Sequence, residues 1–360
     1  SDLGATAVES EPHVAQAFVA GDANLYVARN AVEDAVDHER FYVCSLDEDT
    51  LVYKGLLKST QLRDYYPDLR DDRMETTFAM VHARFSTNTL GAWHLAHPYR
   101  NIIHNGEFNT IKGNVNWMRA READLDASNF TAEELDTVRP IIDDPEQSDT
   151  ASVDNALELL TETGRSLPHA LRMLIPEAWQ DDDAMAESRK EFYDFHASLV
   201  EPWDGPALVV GTDGERIAAA LDRNGLRPCR YEVTEDNRLV MGSEAGALDT
   251  PASEVRERGR LTPGQLFVAD PEEGRVIPDD EVFDDLTDET YGEWVDAEQE
   301  HVDGDDPLPQ NPVEKLRARQ AAFGYTHDEL DELVEPMAVD GEDPVGSMGD
   351  DTPLAALSEF

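Results

Sequence analysis

In the run Thr76-Thr77-Phe78-Ala79-Met80-Val81-His82-Ala83-Arg84-Phe85, an imidazole and a guanidinium stand two residues apart among mostly apolar neighbours. If the run is a buried strand, that spacing puts His82 and Arg84 on one face and carries both polar groups into an interior or a cleft. A guanidinium fixed there offers planar, bidentate donors suited to a carboxylate, whether of a ligand or of the protein itself. Asn105-Gly106, by itself, reads as a hairpin turn, and Ser148-Asp149 as an N-cap before a helical pattern. Cys44 and Cys229 lie far apart with no CxxC or Cys/His spacing, so neither a disulfide framework nor a zinc site of local motif is expected. Cysteine usage of this kind fits a reducing cytoplasm, with both thiols as small packing residues. Trp93, Trp117 and Trp179 are expected in core or interface packing, and His82 and His104 either orient the loop by hydrogen bonds or, the commoner outcome, are satisfied core histidines.

The elements that must position these residues can be sketched from periodicity. Residues 41–46 and 50–55, rich in β-branched and aromatic side chains, predict a hairpin around Asp47-Glu48-Asp49. Helical spacing appears over 114–122, over 149–160 with Ser148 or Asp149 as cap, and over 168–175 with Pro168 in the first turn. Two strands, 206–211 and 217–221, flank the turn signal Thr212-Asp213-Gly214, and further strands are predicted at 230–233 and 239–241. From Asp279 to Asp306 the chain is acidic and weakly periodic, as a linker would be, and 317–336 reads as a polar helix before the glycine-rich loop 344–350. Clusters of strands with helices between them predict a layered α+β protein rather than a regular βαβ alternation.

Composition narrows the function classes. Lys and Arg number 29 against 78 Asp and Glu, a net charge of −49 spread along the chain. Such a surface repels nucleic-acid phosphate and fits adaptation to high salt, where screening lets an acidic chain stay compact. With no run of about 18 apolar residues and no basic, apolar leader at the start, neither a membrane protein nor a secreted one is expected. The absence of an initial Met and the stop directly after an apolar stretch suggest that both ends are cuts.

One long stretch, His82 to Glu122, carries a resemblance. Its strings His82-Ala83-Arg84-Phe85-Ser86-Thr87-Asn88-Thr89, His104-Asn105-Gly106-Glu107-Phe108-Asn109-Thr110 and Gly113-Asn114-Val115-Asn116-Trp117-Met118 are similar to those of the glutamine amidotransferase domain of glutamate synthases. The resemblance runs on in order through 148–152, 164–168, 175–179 and Asp222-Arg223-Asn224-Gly225-Leu226-Arg227-Pro228. It ends with 322–325 and 346–354, which look like the opening of that family's central domain.

The resemblance implies an N-terminal-nucleophile hydrolase fold, a four-layer αββα sandwich present here in part. It divides the chain into an amidotransferase domain at 1–284, without its N-terminal portion, and an acidic linker with the start of the central domain at 285–360. It implies L-glutamine as ligand, with Arg84 on the α-carboxylate, Asp149 on the α-ammonium, Thr87 in the binding site, and Asn105 with the Gly106 N–H as the oxyanion hole. The family's nucleophile is a cysteine at the mature N-terminus, which uses its own α-amine as base. Residue 1 here is Ser, so the chain alone is expected to be inactive. The ammonia would serve reductive amination of 2-oxoglutarate. FMN and an iron–sulfur cluster are implied for the complete enzyme but not for this stretch, where no metal is expected. Its electrons would come from ferredoxin or an NAD(P)H-dependent small subunit. Two other readings stay open: another class II amidotransferase, and a non-catalytic glutamine-binding subunit of a split synthase. The first is disfavoured by 346–354.

Overall fold

The computed structural model describes residues 4–21, 24–36, 38, 41–83, 91–142, 147–244, 246–287, 290–299, 313–322, 326, 330–336 and 339. They fall into two units, Ser1–Glu298 and Gln299–Phe360, each described by itself.

In the first unit, Ile102–Gly106 (β1), Ala207–Thr212 (β2) and Ile217–Leu221 (β3) pair antiparallel. The turn between β2 and β3 forms where expected, with Asp213 Oδ1 accepting from the N–H of Glu215 (3.1 Å) and Arg216 (2.7 Å). Arg230–Thr234 (β4), Leu239–Gly242 (β5) and Val255–Arg260 (β6) make a separate antiparallel sheet in the order β5-β4-β6. Leu266–Asp270 (β7) then pairs with β3, and Arg275–Ile277 (β8) with β7, which completes a five-stranded sheet β1-β2-β3-β7-β8. The helices are Ala5–Glu9 (α1), Leu25–Ala35 (α2), Ser59–Tyr65 (α3), Ile111–Arg121 (α4), Ala132–Thr137 (α5), Asp149–Glu162 (α6), Leu167–Leu174 (α7), Glu187–Ala197 (α8), Asp279–Leu286 (α9) and Tyr291–Glu298 (α10).

Alternation along β2 shows why every one of its residues is buried. Ala207 and Val209 join an apolar cluster with Leu157 of α6, Leu171 of α7, Phe192 of α8 and Phe283 of α9. Leu208 and Val210 face the other way, into a cluster with Cys229, Leu239 and Met241 beside or on the three-stranded sheet and Phe267 of β7. Each side chain of this size removed from water contributes about 1.5–3 kcal/mol.

Three expectations are corrected in this unit. Residues 41–55 form the turn, with Asp47 Oδ1 accepting from the N–H of Asp49 (2.8 Å) and Thr50 (2.7 Å), but no strands. The Val52 N–H goes to Ser45 Oγ (3.1 Å), a side chain in place of a ladder partner. Of the run 76–85, read as a buried strand, residues 76–83 form no strand and are largely exposed, and 84 and 85 lie outside the described residues; Phe78, Met80 and His82 are half-buried while Ala79, Val81 and Ala83 face solvent. Within 279–306, predicted as linker, residues 279–286 and 291–298 form α9 and α10, because Val282, Phe283, Leu286 and Tyr291 are apolar positions that pack on the core. Trp93 is buried in the core, whereas Trp117 is 54% exposed and lies under the Arg121 guanidinium.

In the second unit, Val313–Ala322 (α11) and a single π-helical turn, Leu330–Val334, stand where one polar helix was expected over 317–336. No helix among the described residues is long and apolar enough to cross a membrane.

Candidate functional site

The edge strand β1 is held at its start by a buried carboxylate. Asp154, on α6 and fully buried, accepts from the N–H of Asn101 (2.8 Å) and Ile102 (3.1 Å) through Oδ1 and from the N–H of Arg100 (3.2 Å) through Oδ2. The Arg100 guanidinium pairs with Glu158 (3.0 Å), which also takes Arg29 from α2 (2.7 Å). A strand on the sheet's margin is thereby tied to the helix that supplies Asp149.

At its far end β1 is held by backbone contacts. Gly106 has φ +146°, and a Cβ there would lie 1.7 Å from the Pro206 carbonyl oxygen. Gly205, with φ +158°, meets the Glu107 carbonyl oxygen equally closely. Only glycine fits at both positions, so the chain leaving β1 lies directly against the chain entering β2. The N–H groups of Glu107 and Asn109 donate to the carbonyls of Pro206 (3.1 Å) and Asp204 (2.7 Å). Asn105-Gly106 is therefore a strand end, not a hairpin turn. Asn105 is exposed and shares its face of β1 with Ile103, which packs toward the second sheet.

Asp149 stands at this same end of β1. Ser148 caps α6, its Oγ accepting from the Ala151 N–H (3.1 Å), so Asp149 stands in the first turn rather than at the cap. Oδ2 accepts from the Phe108 N–H (2.8 Å) and Oδ1 from the Thr150 N–H (2.7 Å) and hydroxyl (3.3 Å). Thr150 Oγ1 also meets His104 Nδ1 at 2.9 Å. The His104 ring stacks on Phe108 (4.8 Å), and burial pushes its pKa down to about 4, against the pull of Asp149, so it is neutral near pH 7. Its Nε2 is buried without a hydrogen-bond partner among the described residues.

His82 Nε2 donates to the His104 carbonyl (2.9 Å) on the margin of the sheet, and its ring stacks on His97 (4.2 Å). Burial lowers the pKa of both, that of His97 to about 3. Both histidines singled out from the sequence thus support β1, one through its backbone and one through α6. Arg84 and Thr87 lie outside the described residues.

The loop 223–228 is built on Asp222, whose carboxylate accepts from the N–H of Ala207 (3.1 Å), Asn224 (3.0 Å) and Leu226 (3.0 Å). Arg223 makes a two-pronged pair with Asp204 (3.0 and 2.6 Å), the residue that holds Asn109. Sequence reasoning missed Thr150, Asp204 and Asp222; an acidic residue directly before a glycine-containing turn was the available signal for the last. Cys229 is buried, its thiol pushed up to about 11 by burial, and burial raises that of Cys44 as well. Neither is poised as a nucleophile. A cavity of about 630 Å³ opens elsewhere, between α7 and α8, with Arg172, Glu177, Trp179 and Tyr193 in its wall. The Arg172 guanidinium donates to the carbonyls of Ile175 (3.1 Å) and Gly264 (3.0 Å), which is a framework role.

Residues 1–294 match the class-II glutamine amidotransferases, and the chain belongs to that family. Residues 318–360 match the glutamate synthase central domain. Among relatives, the chain is 41% identical over 371 residues to the large chain of NADPH glutamate synthase from Bacillus subtilis and 42% identical over 371 residues to ferredoxin-dependent glutamate synthase 2 from Synechocystis. Both alignments cover 99% of this chain and 24% of the relative, so the chain spans about a quarter of their length. To the NADH glutamate synthase of Saccharomyces cerevisiae it is 42% identical over 353 residues, 93% of this chain and 16% of the relative.

Proposed function

We propose that this chain binds L-glutamine and supports hydrolysis of its side-chain amide as the amidotransferase part of a glutamate synthase, the ammonia serving reductive amination of 2-oxoglutarate. The observation that carries this reading is the meeting of Asn105-Gly106 and Asp149 at one end of β1. Attack on the amide carbon puts negative charge on its oxygen, and a side-chain amide with a backbone N–H, fixed before the reaction, stabilises that charge without reorganisation. Asn105 and Gly106 have these groups on a strand end that two glycines and Asp204 immobilise. Asp149 receives the α-ammonium, while Arg84 takes the α-carboxylate and Thr87 completes the binding site. The attacking thiol is neither Cys44 nor Cys229.

The five-stranded sheet, with helices on one face and strands of a second sheet on the other, supports an αββα sandwich of the N-terminal-nucleophile type. A division into an amidotransferase part at 1–284 and a following part at 285–360 that opens a second domain belongs to the same reading; the family matches at 1–294 and 318–360 support two parts. The remaining synthase domains would hold FMN and the iron–sulfur cluster, with electrons from ferredoxin or an NAD(P)H-dependent partner. Among the described residues no three His, Cys, Asp or Glu side chains are grouped to hold a metal. The cytoplasm is the proposed place of action.

Arg84→Lys tests the reading in the full-length gene product. Loss of the two-pronged carboxylate contact should raise the glutamine KM about ten-fold or more and leave ammonia-dependent glutamate formation unchanged. Equal loss with both nitrogen sources would assign Arg84 to the framework instead.

A further inference from the structure

Among the described residues, Asp149 Oδ1 accepts from the Thr150 N–H and hydroxyl, whereas Oδ2 accepts from the Phe108 N–H alone. A carboxylate oxygen has two lone-pair directions, so Oδ1 is saturated and Oδ2 keeps one open. The Thr150 hydroxyl can direct its hydrogen at Asp149 only if its second neighbour, His104 Nδ1 at 2.9 Å, is itself the donor. Neutral His104 then carries its proton on Nδ1 and leaves Nε2 a bare acceptor, in keeping with a buried Nε2 that has no partner among the described residues. The opposite tautomer would bury an unpaired N–H and take the hydroxyl hydrogen away from Asp149, two costs in place of one.

We propose that Thr150 and His104 are positioning residues: the relay His104 Nδ1–H to Thr150 Oγ1–H to Asp149 Oδ1 saturates one carboxylate oxygen, presents the other to the substrate ammonium, and sets its place relative to Asn105. This rests on the glutamine-site reading above. His104 precedes Asn105 on β1 and Thr150 follows Asp149 on α6, so one hydrogen bond between the two elements governs the span between ammonium site and oxyanion site. Neither residue touches the reacting atoms.

The test compares Thr150→Val, Thr150→Ser and Asp149→Asn in the full-length gene product, with glutamine and with ammonia as nitrogen source. Thr150→Val keeps the volume and removes the hydroxyl; one lost hydrogen bond to a charged group should raise the glutamine KM about ten-fold. The kcat should change less than about two-fold and the ammonia-dependent rate should stay as it is, as for loss of binding without loss of transition-state contacts. Thr150→Ser, which keeps the hydroxyl, should return KM to near the parent value. The relay is overturned if Asp149→Asn raises KM while Thr150→Val does not. It is equally overturned if Val and Ser reduce both nitrogen sources alike, the mark of a framework role. If Asp149→Asn itself leaves KM unchanged, the glutamine-site reading falls and the relay with it.

Discussion

Asp154→Ala should destabilise the protein by about 3–5 kcal/mol, because the carboxylate it removes is an anion fully enclosed by its own donors. Asp154 has no exposed surface. Of the three N–H groups it accepts from, that of Ile102 belongs to a fully buried residue and cannot turn to water. Those of Arg100 and Asn101 are half-buried and recover part of their loss by hydration. The orphaned Ile102 N–H accounts for about 1–3 kcal/mol, and the two partly rehydrated donors and a weakened partner for Arg100, at 3.6 Å, make up the remainder. Asp154→Asn can keep an oxygen toward Asn101 and Ile102 but turns an NH₂ against the Arg100 N–H, so it should cost less, about 1–3 kcal/mol. The assay is urea unfolding at fixed potassium chloride, where both variants should lower the midpoint at unchanged slope. A loss below about 1 kcal/mol for Asp154→Ala would refute the claim that this carboxylate fastens β1 to α6.

Salt should stabilise the protein: with a net charge of −49, raising potassium chloride from about 0.1 M to 1 M shortens the screening length from about 10 Å to 3 Å, and thermal unfolding should move upward. A flat or falling profile would remove the high-salt reading. His169 and His196 face each other, Nε2 to Nε2, at 2.8 Å, and burial pushes their pKa values down to about 3 and about 4. Folded values below the unfolded one of about 6.5 mean that their contribution is complete above that pH and is lost as pH falls toward the folded values. His169→Phe should therefore gain about 2 kcal/mol on the parent between pH 7 and pH 5, and a pH-independent difference in urea unfolding would contradict the buried neutral pair. Cys229→Ala should leave glutamine turnover unchanged, since its thiol is held protonated in the core; loss of turnover with the fold intact would reopen its assignment.

The two apolar runs that flank Thr212-Asp213-Gly214 and the helices at 149–162 and 167–174 were legible because local pattern and tertiary burial agree there. The run 76–83 misled because apolar content resembles a buried strand, whereas only Phe78, Met80 and His82 turn inward and no ladder partner is present among the described residues. In α9, three apolar residues among five acids looked like a linker, yet Val282, Phe283 and Leu286 lie on one face and decide the outcome. At the site, Asn105, Gly106 and Asp149 were named from the resemblance. Thr150 meets Asp149 within the first turn of α6, but His104 reaches that carboxylate, through Thr150, only because β1 packs on α6, a contact between residues 46 apart that periodicity does not encode.

The central claim is that the end of β1 stabilises the charge formed when glutamine's amide is attacked. The measurement that tests it most directly is steady-state turnover of Asn105→Ala in the full-length gene product, with glutamine and ammonia run side by side. Loss of one preorganised donor should lower kcat with glutamine by about 10²–10³ at a KM near the parent value, with ammonia-dependent turnover unchanged. A kcat with glutamine within a few-fold of the parent would contradict it.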